Sequence, residues 1–435
     1  MNYAQKLAKL IQCETVSCVP QTDLSRFEAF HQVLFEEFPT FRDHVEVEKF
    51  HGSLLMRWPG RDPEAAPVFA MSHHDVVEAP GKWKHGAFSG DIAEGRVWGR
   101  GTVDTKGNLW AMVTAADELM GEGFTPACDV YIISPCNEET TGAGAQEIVA
   151  ALKARGVRPK LMLDEGGFII TEPLPGAEGK FAMVGVAEKS CIDLKFTARG
   201  NGGHASNPGP DTPLVRLGKF MAAVEGQDNL FPAQMHPVTA EMLTRIAPHM
   251  SGAMKAAFAH LGATKGLLTK LMPKVSPVAG GLLKTTVAFT MAGGSDGANV
   301  LPQEAWVVGN MRSSLHQGRE GSVRAIAGFA RKFDIETEVL EGGVDSHPAD
   351  LQGEGFRMVE DTIHDIFPGV QVTPYILLGG TDSRYFEEIC DNCIRFAPFT
   401  IDEQQFGSMH GLNENMSVET LPTAVLFFRE IYKKV

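Results

Sequence analysis

Five short clusters of imidazole and carboxylate side chains stand out along this 435-residue chain. They are His73 with Asp75, Asp104, the pair Glu138-Glu139, the pair Asp164-Glu165, and His410 near the C-terminus. Imidazole nitrogen with carboxylate oxygen suits zinc, and also manganese or cobalt. Five clusters exceed what one zinc needs. A carboxylate can bridge two cations roughly 3.5–4 Å apart, which is the two-metal hydrolase arrangement. Each metal would take a His and a carboxylate, with one Asp between them.

Adjacent residues in an extended chain diverge, whereas residues two apart share a face. His73 and Asp75 therefore point together, with His73 as the metal ligand, while His74 turns away, either to pack or to support a ligand from behind. Likewise Glu138 and Glu139 cannot do the same job. One can bind metal while the other stays free to take a proton as a general base. Alone, a His-x-Asp is an ordinary polar loop, and a Glu-Glu pair usually sits on a solvated helix face. Their setting decides otherwise. Apolar runs precede the clusters: Pro67–Met71 before His73, Asp129–Ser134 before Glu138, Lys160–Leu163 before Asp164. Such runs read as buried parallel strands, and catalytic groups sit where the strands of an α/β sheet end.

The elements that must position these clusters follow from periodicity. Amphipathic helices are expected at 2–12 and 24–38, and paired strands at 45–50 and 53–58. A long helix follows Asp104 over 105–122, and another spans 146–155. Strand and helix alternate, so the fold class is α/β with a mostly parallel sheet flanked by helices. From about Lys189 the order becomes β-α-β-β-α-β, a ferredoxin-like α+β module inserted in the first domain. The α/β pattern resumes after about 345. The expected organisation is a catalytic domain in two parts, 1–187 and 345–435, with an inserted lid or dimerisation domain at 188–344. The segment 230–284, helical in pieces, fits neither pattern and reads as an embellishment or a dimer contact.

Composition narrows the class. Hydrophobic content of 43% and charged content of 21% describe an ordinary globular protein. A net charge of −15 argues against nucleic acid or an anionic membrane as main partner. The N-terminus shows no basic stretch leading into an apolar core, and no apolar run is long enough to span a bilayer. Seven scattered cysteines do not form a disulfide framework. A cytoplasmic chain with reduced thiols is the expectation.

Taken together and in order, the clusters resemble a family of dinuclear zinc exopeptidases. It includes carboxypeptidase G, carboxypeptidase S, aminoacylase and succinyl-diaminopimelate desuccinylase. Ser72-His73-His74-Asp75-Val76-Val77 resembles S/G-H-x-D-V-V, and Gly99-Arg100-Gly101-Thr102-Val103-Asp104-Thr105-Lys106-Gly107 resembles G-R-G-x-x-D-x-K-G. Asn137-Glu138-Glu139-Thr140-Thr141-Gly142 is similar to N/D-E-E-x-x-G, and Met409-His410-Gly411-Leu412-Asn413-Glu414 to x-H-G-x-N/D-E. Leu163-Asp164-Glu165-Gly166-Gly167 is similar to the L-D-E-G-G of the carboxypeptidase S branch.

The resemblance implies that His73 and Asp164 hold one zinc, Glu139 and His410 the other, and that Asp104 bridges them, with a cis peptide to Thr105. Asp75 would fix the His73 tautomer, and Glu138 would act as base and then acid. Asp164 and Glu165 are both eligible ligands, and members of the family differ; the spacing of 25 from Glu139 selects Asp164. Gly202-Gly203-His204-Ala205-Ser206 resembles a motif whose His reaches a neighbouring active site and polarises the scissile carbonyl. Asn299 and Arg312 match positions that hold the substrate's carboxylate, for which Arg is a bidentate donor; a strand-edge ion pair is the competing role for Arg312. Gly380 belongs to Gly379-Gly380-Thr381-Asp382-Ser383, similar to the loop lining the substrate pocket. Thr105 departs from the Asp, Asn or Met of many members.

The function so implied is zinc-dependent amide hydrolysis by a carboxypeptidase-like metallo-exopeptidase. Substrates would be small peptides or N-acyl amino acids with a free carboxylate. Two zinc ions per subunit are expected, with cobalt or manganese as substitutes, in a homodimer formed through the inserted domain. Neither nucleic acid nor membrane is an expected partner. The alternatives are an aminoacylase- or desuccinylase-type deacylase and, from another class, a non-catalytic binding protein on the same fold. The full set of five ligands with Glu138 speaks against the last.

Overall fold

The computed structural model describes residues 2–227 and 229–435. Its largest element is a nine-stranded sheet. At the centre, Val130–Ser134, Val68–Met71, Leu161–Asp164 and Cys393–Arg395 lie side by side and parallel. On one flank Ser53–Trp58 runs antiparallel to Val130–Ser134 and forms a hairpin with Glu46–Phe50. On the other, Lys180–Glu188 lies antiparallel to Cys393–Arg395 and parallel to Gln371–Leu377.

The central strands are buried along their whole length. That is why they read as unbroken apolar runs rather than alternating ones: helices cover both faces. On one face the helix Lys106–Gly121 is almost wholly buried, in a core shared with Tyr3–Ile11 and Leu421–Lys433. On the other, Ile148 and Leu152 of the helix Ala143–Ala154 pack on Leu55, Phe69 and Ile133. Register places Met71 beside Ile133 and Ala70 beside Leu163. The loops carrying His73, Glu138 and Glu165 therefore leave the same edge of the sheet, at the carboxyl ends of parallel strands.

A second, four-stranded antiparallel sheet is made from Thr286–Gly293, Glu304–Ser313, Ser190–Arg199 and Glu336–Gly342, in that spatial order. Helices Pro213–Gly226 and Gly318–Ala330 bury Phe220 and Ile326 against Leu194 and Phe196. This is the β-α-β-β-α-β module read from the sequence.

Two of the larger features depart from the sequence reading. Lys180–Glu188, nine residues long, has no counterpart in it. Its run is apolar, but Gly185 interrupts the local strand signal. The sheet itself explains that glycine: a Cβ there would lie 2.0 Å from Leu377 Cδ1. The segment 230–284, read as an embellishment or dimer contact, forms helices Pro237–Ile246, Gly252–Ala259, Leu261–Val275 and Pro277–Leu283. Their buried side chains pack with Phe181, Met183 and Tyr375 of the large sheet. So this part of the inserted stretch covers the edge that carries the polar loops. Among the described residues no helix is long and apolar enough to cross a membrane.

Candidate metal centre

His73 leaves the end of Val68–Met71 almost fully buried. Its Nδ1 lies 2.9 Å from the carbonyl oxygen of Asp75 and 3.4 Å from that residue's Oδ1. An Nδ1–H donated to that carbonyl leaves Nε2 unprotonated, the form that binds metal. Nε2 in turn lies 3.1 Å from Asp104 Oδ1 and 3.6 Å from Glu165 Oε1. The second oxygen of Asp104 is 3.1 Å from His410 Nε2, which is 3.0 Å from Glu139 Oε2. Two sets thus share one carboxylate: His73, Asp104 and Glu165; then Asp104, Glu139 and His410, with ligand atoms in each set within 4.8 Å of one another.

The electrostatics favour cations. Asp104 and Glu139 raise His410 to about 10 through hydrogen bonds and charge. Burial pushes Glu165 well above the usual carboxylate range, with Asp104 adding to the rise. Burial likewise raises Glu139, whose Oε1 is buried with no hydrogen-bond partner among the described residues. Positive charge placed between carboxylates this crowded stabilises their ionised forms. Imidazole and carboxylate together fit zinc, manganese or cobalt.

Glu138 belongs to neither set, although it faces the same space. Burial raises its carboxyl well above the ordinary value, and Asp382 and Glu165 add to this against His73. A carboxyl that readily carries a proton beside a cation centre is suited to general acid–base work.

Asp164 lies elsewhere. It is the last residue of Leu161–Asp164, and its Oδ2 accepts the amide of Ser383 at 3.1 Å. The carboxylate brought to His73 is Glu165. The reason is where the strand stops: Asp164 is its last residue, and Glu165 lies in the bend beyond it and turns toward His73. Counting from Glu139 did not register where the strand ends. Asp164 instead holds the loop 379–383 from below, together with Glu188, which accepts the amide and hydroxyl of Thr381. Arg395, fully buried, ties Glu188 to Glu387.

The Asp104–Thr105 peptide is cis. The Asp75 carboxylate reaches beyond His73: it accepts the amides of Glu138 and Glu139 at 3.1 and 3.2 Å and the Ser17 hydroxyl at 2.7 Å. Glu414 was not anticipated in any role. Fully buried, it accepts the amides of Gly101, Val103 and Asp104 and pairs with Arg100 at 2.7 Å, which fixes the loop that aims Asp104. Its place in the late x-H-G-x-N/D-E motif was the signal available. His74 stacks on Phe30, with ring centroids 4.8 Å apart, and bonds Ser134.

Two cavities meet at the cluster. One, of about 450 Å³, is lined by Asp104, Glu138, Glu139, Glu165 and His410 at one end and otherwise mainly by apolar side chains, including Phe168, Met183, Met242, Ile246 and Leu282. The other, of about 350 Å³, is polar; Arg312, Asp193, Arg384 and Thr140 line it with Glu138, Glu139 and His410. Gly380 lines both. His204 and Asn299 line neither. His204 is exposed on a ribbon pairing Gly203-His204 with Val300-Leu301, and Asn299 accepts the Ala205 amide there.

A metal site beside an uncommitted acid, open to a cleft, would suit the activation of water against a polarised carbonyl, the work of a metal-dependent hydrolase. The chain belongs to peptidase family M20/M25/M40, whose model matches residues 69–434. It is 31% identical over 439 residues to the cattle (Bos taurus) "N-fatty-acyl-amino acid synthase/hydrolase PM20D1", covering 98% of this chain and 86% of that one. It is 27% identical over 444 residues to "Probable carboxypeptidase S-like 2" of Dictyostelium discoideum, covering 100% and 85%. In fold it is similar to an M20 family metallo-carboxypeptidase, Sso-CP2, from Sulfolobus solfataricus. The TM-score is 0.74 at 15% identity, over 100% of this chain and 99% of that one. The chain is an amide hydrolase with a metal site.

Proposed function

We propose that this enzyme hydrolyses N-acyl amino acids whose acyl group is long and apolar, releasing a fatty acid and an amino acid. The observation that carries the reading is the pairing of cavities across the metal centre. An acyl chain fits the apolar one, formed partly by the helices Pro237–Ile246 and Pro277–Leu283. The amino-acid carboxylate fits the polar one, where Arg312 supplies a planar cation. The scissile amide then lies over Glu138. The name of the cattle relative, an N-fatty-acyl-amino acid synthase/hydrolase, points the same way.

His73, Asp104 and Glu165 would hold one metal, and Asp104, Glu139 and His410 the other; zinc suits the donors. Bound there, the metals supply Lewis acidity that makes water nucleophilic near neutral pH and polarises the carbonyl. Glu138 takes the proton of the attacking water and passes it to the leaving amine. Asp75 keeps His73 in the binding tautomer and holds the Glu138-Glu139 turn. His204, remote from these cavities within its own chain, would serve the site of a neighbouring subunit and polarise the carbonyl there.

The carboxypeptidase-like relatives favour a second reading, removal of a C-terminal residue from a peptide with an apolar neighbour. Rates on N-acetyl, N-octanoyl and N-dodecanoyl amino acids and on dipeptides decide between them. Each methylene buried is worth about 0.8 kcal/mol, so kcat/KM should rise by up to roughly fourfold per methylene until the cavity is full. A flat series with faster dipeptide cleavage would overturn the acyl assignment.

A further inference from the structure

We propose that the helix Leu261–Val275 and the turn after it form a docking face for an anionic lipid surface, through which acyl substrates enter the apolar cavity. The need for such an entry rests on the acyl reading above; the docking itself does not.

The chain-wide charge of −15 conceals a local reversal. From 242 to 295 there is no Asp or Glu, while Arg245, Lys255, Lys265, Lys270, Lys274 and Lys284 are present. Leu267, Leu271 and Val275, spaced i, i+4 and i+8, share one face of the helix. They are 61%, 47% and 83% exposed, which is unusual for side chains of this size on one face. Lys270 and Lys274 lie exposed beside them. Among the described residues no carboxylate is within ion-pairing distance of Lys265, Lys270 or Lys274, whereas Lys84, Lys153 and Lys219 elsewhere on the surface each have one. The opposite face, Leu268 and Met272, is buried in the core against the large sheet.

Exposed leucine and valine flanked by unpaired lysines are the composition of an interfacial helix: the apolar side chains enter the acyl boundary while the ammonium groups reach the headgroups. Position supports this occupant over a second copy of the chain. Val278 lines the apolar cavity and is 57% exposed; Phe406 lines it too and is 54% exposed. The exposed apolar stripe therefore continues into the cavity mouth. A second copy seated on it would cap the opening, whereas a bilayer would deliver an acyl chain into it.

The test uses the full metal-loaded chain and flotation with vesicles of phosphatidylcholine alone or with a quarter phosphatidylglycerol. Binding is expected only to the anionic vesicles and is lost in 0.5 M salt. Leu271→Glu/Val275→Glu and Lys265→Gln/Lys270→Gln/Lys274→Gln should each weaken it by roughly tenfold or more. Both variants should melt like the wild type and cleave a soluble N-acetyl amino acid at its rate, yet lose at least most of the rate on an N-dodecanoyl substrate presented in anionic vesicles. Absence of wild-type binding, or equal binding by the variants, overturns the docking face and leaves the acyl reading standing. Anionic vesicle binding without cleavage of any N-acyl amino acid does the reverse. A dimer that Leu271→Glu/Val275→Glu splits, with no vesicle binding, assigns the face to a second copy and also overturns the proposal.

Discussion

The carboxylate of Asp75 accepts two consecutive backbone amides, Glu138 and Glu139, while its own carbonyl takes the Nδ1 proton of His73. In the proposed site one residue would therefore set the tautomer of a ligand and the aim of both the base and another ligand. Residue-level predictions follow from this division of labour. Glu138→Gln should keep its metal, measured per chain by elemental analysis, while kcat falls by roughly a hundredfold to ten-thousandfold, the range for a lost general acid–base. Unchanged turnover would remove Glu138 from the reaction. Glu165→Ala should lose metal. Asp164→Ala should retain it and destabilise the fold by about 2 kcal/mol, the cost of leaving the buried Ser383 amide unpaired. The opposite pattern of metal contents would restore Asp164 as the ligand.

At the scale of elements, the helices Pro237–Ile246 and Pro277–Leu283 wall the apolar cavity with Met242, Ile246 and Leu282. Ile246→Trp should fill part of it, lowering kcat/KM on an N-dodecanoyl amino acid at least tenfold while sparing the N-acetyl analogue. Equal losses on both would mean a general disturbance rather than a shortened cavity. Another element sets a pH response. The helix Ser25–Glu37 buries His31 beside His74, ring centroids 5.2 Å apart, and burial with Lys49 nearby lowers His31 to about 4. An imidazole whose folded value is depressed costs nothing above its unfolded value near 6.5, where both states are neutral. Below that the unfolded chain takes up the proton first, so stability is lost as pH falls from about 6.5 to 4, by about 3 kcal/mol in all. Urea melts of wild type and His31→Phe across that window should show the wild type losing more; parallel curves would count against a neutral buried His31.

At the scale of the whole molecule, the His204 ribbon stands apart from the cavities of its own chain. If it serves a partner's site, Glu138→Gln and His204→Ala, each inactive alone, should complement when unfolded and refolded together. In a two-fold dimer with random pairing, about a quarter of the wild-type activity should return. No recovery, with mixed dimers demonstrated by tagging, would place His204 outside the reaction. The charge of the whole molecule is equally uninformative about its parts: −15 overall coexists with a stretch of more than fifty residues bearing no carboxylate.

Much of the candidate site was legible in the chain itself because it follows from local alternation. His73 and Asp75 meet, His74 turns away to stack on Phe30, and apolar runs mark the strands that carry them; Glu138 and Glu139 lie in a turn and both line the two cavities, so alternation does not separate them. The α/β alternation and the β-α-β-β-α-β order are also periodicities of the chain, and both are seen in the fold. What spacing did not supply was the point at which a strand stops. Leu161–Asp164 ends one residue before the ligand candidate, so Asp164 faces the 379–383 loop and Glu165 faces His73. Nor did periodicity reveal Glu414 under the Asp104 loop, 310 residues away in the chain; its place in the late motif marked the residue but not the three amides it accepts. The placement of 237–283 over the metal edge is likewise a long-range contact. Sequence determined which groups could do the chemistry; the tertiary structure alone decided which carboxylate meets which imidazole, and what the space beside them can hold.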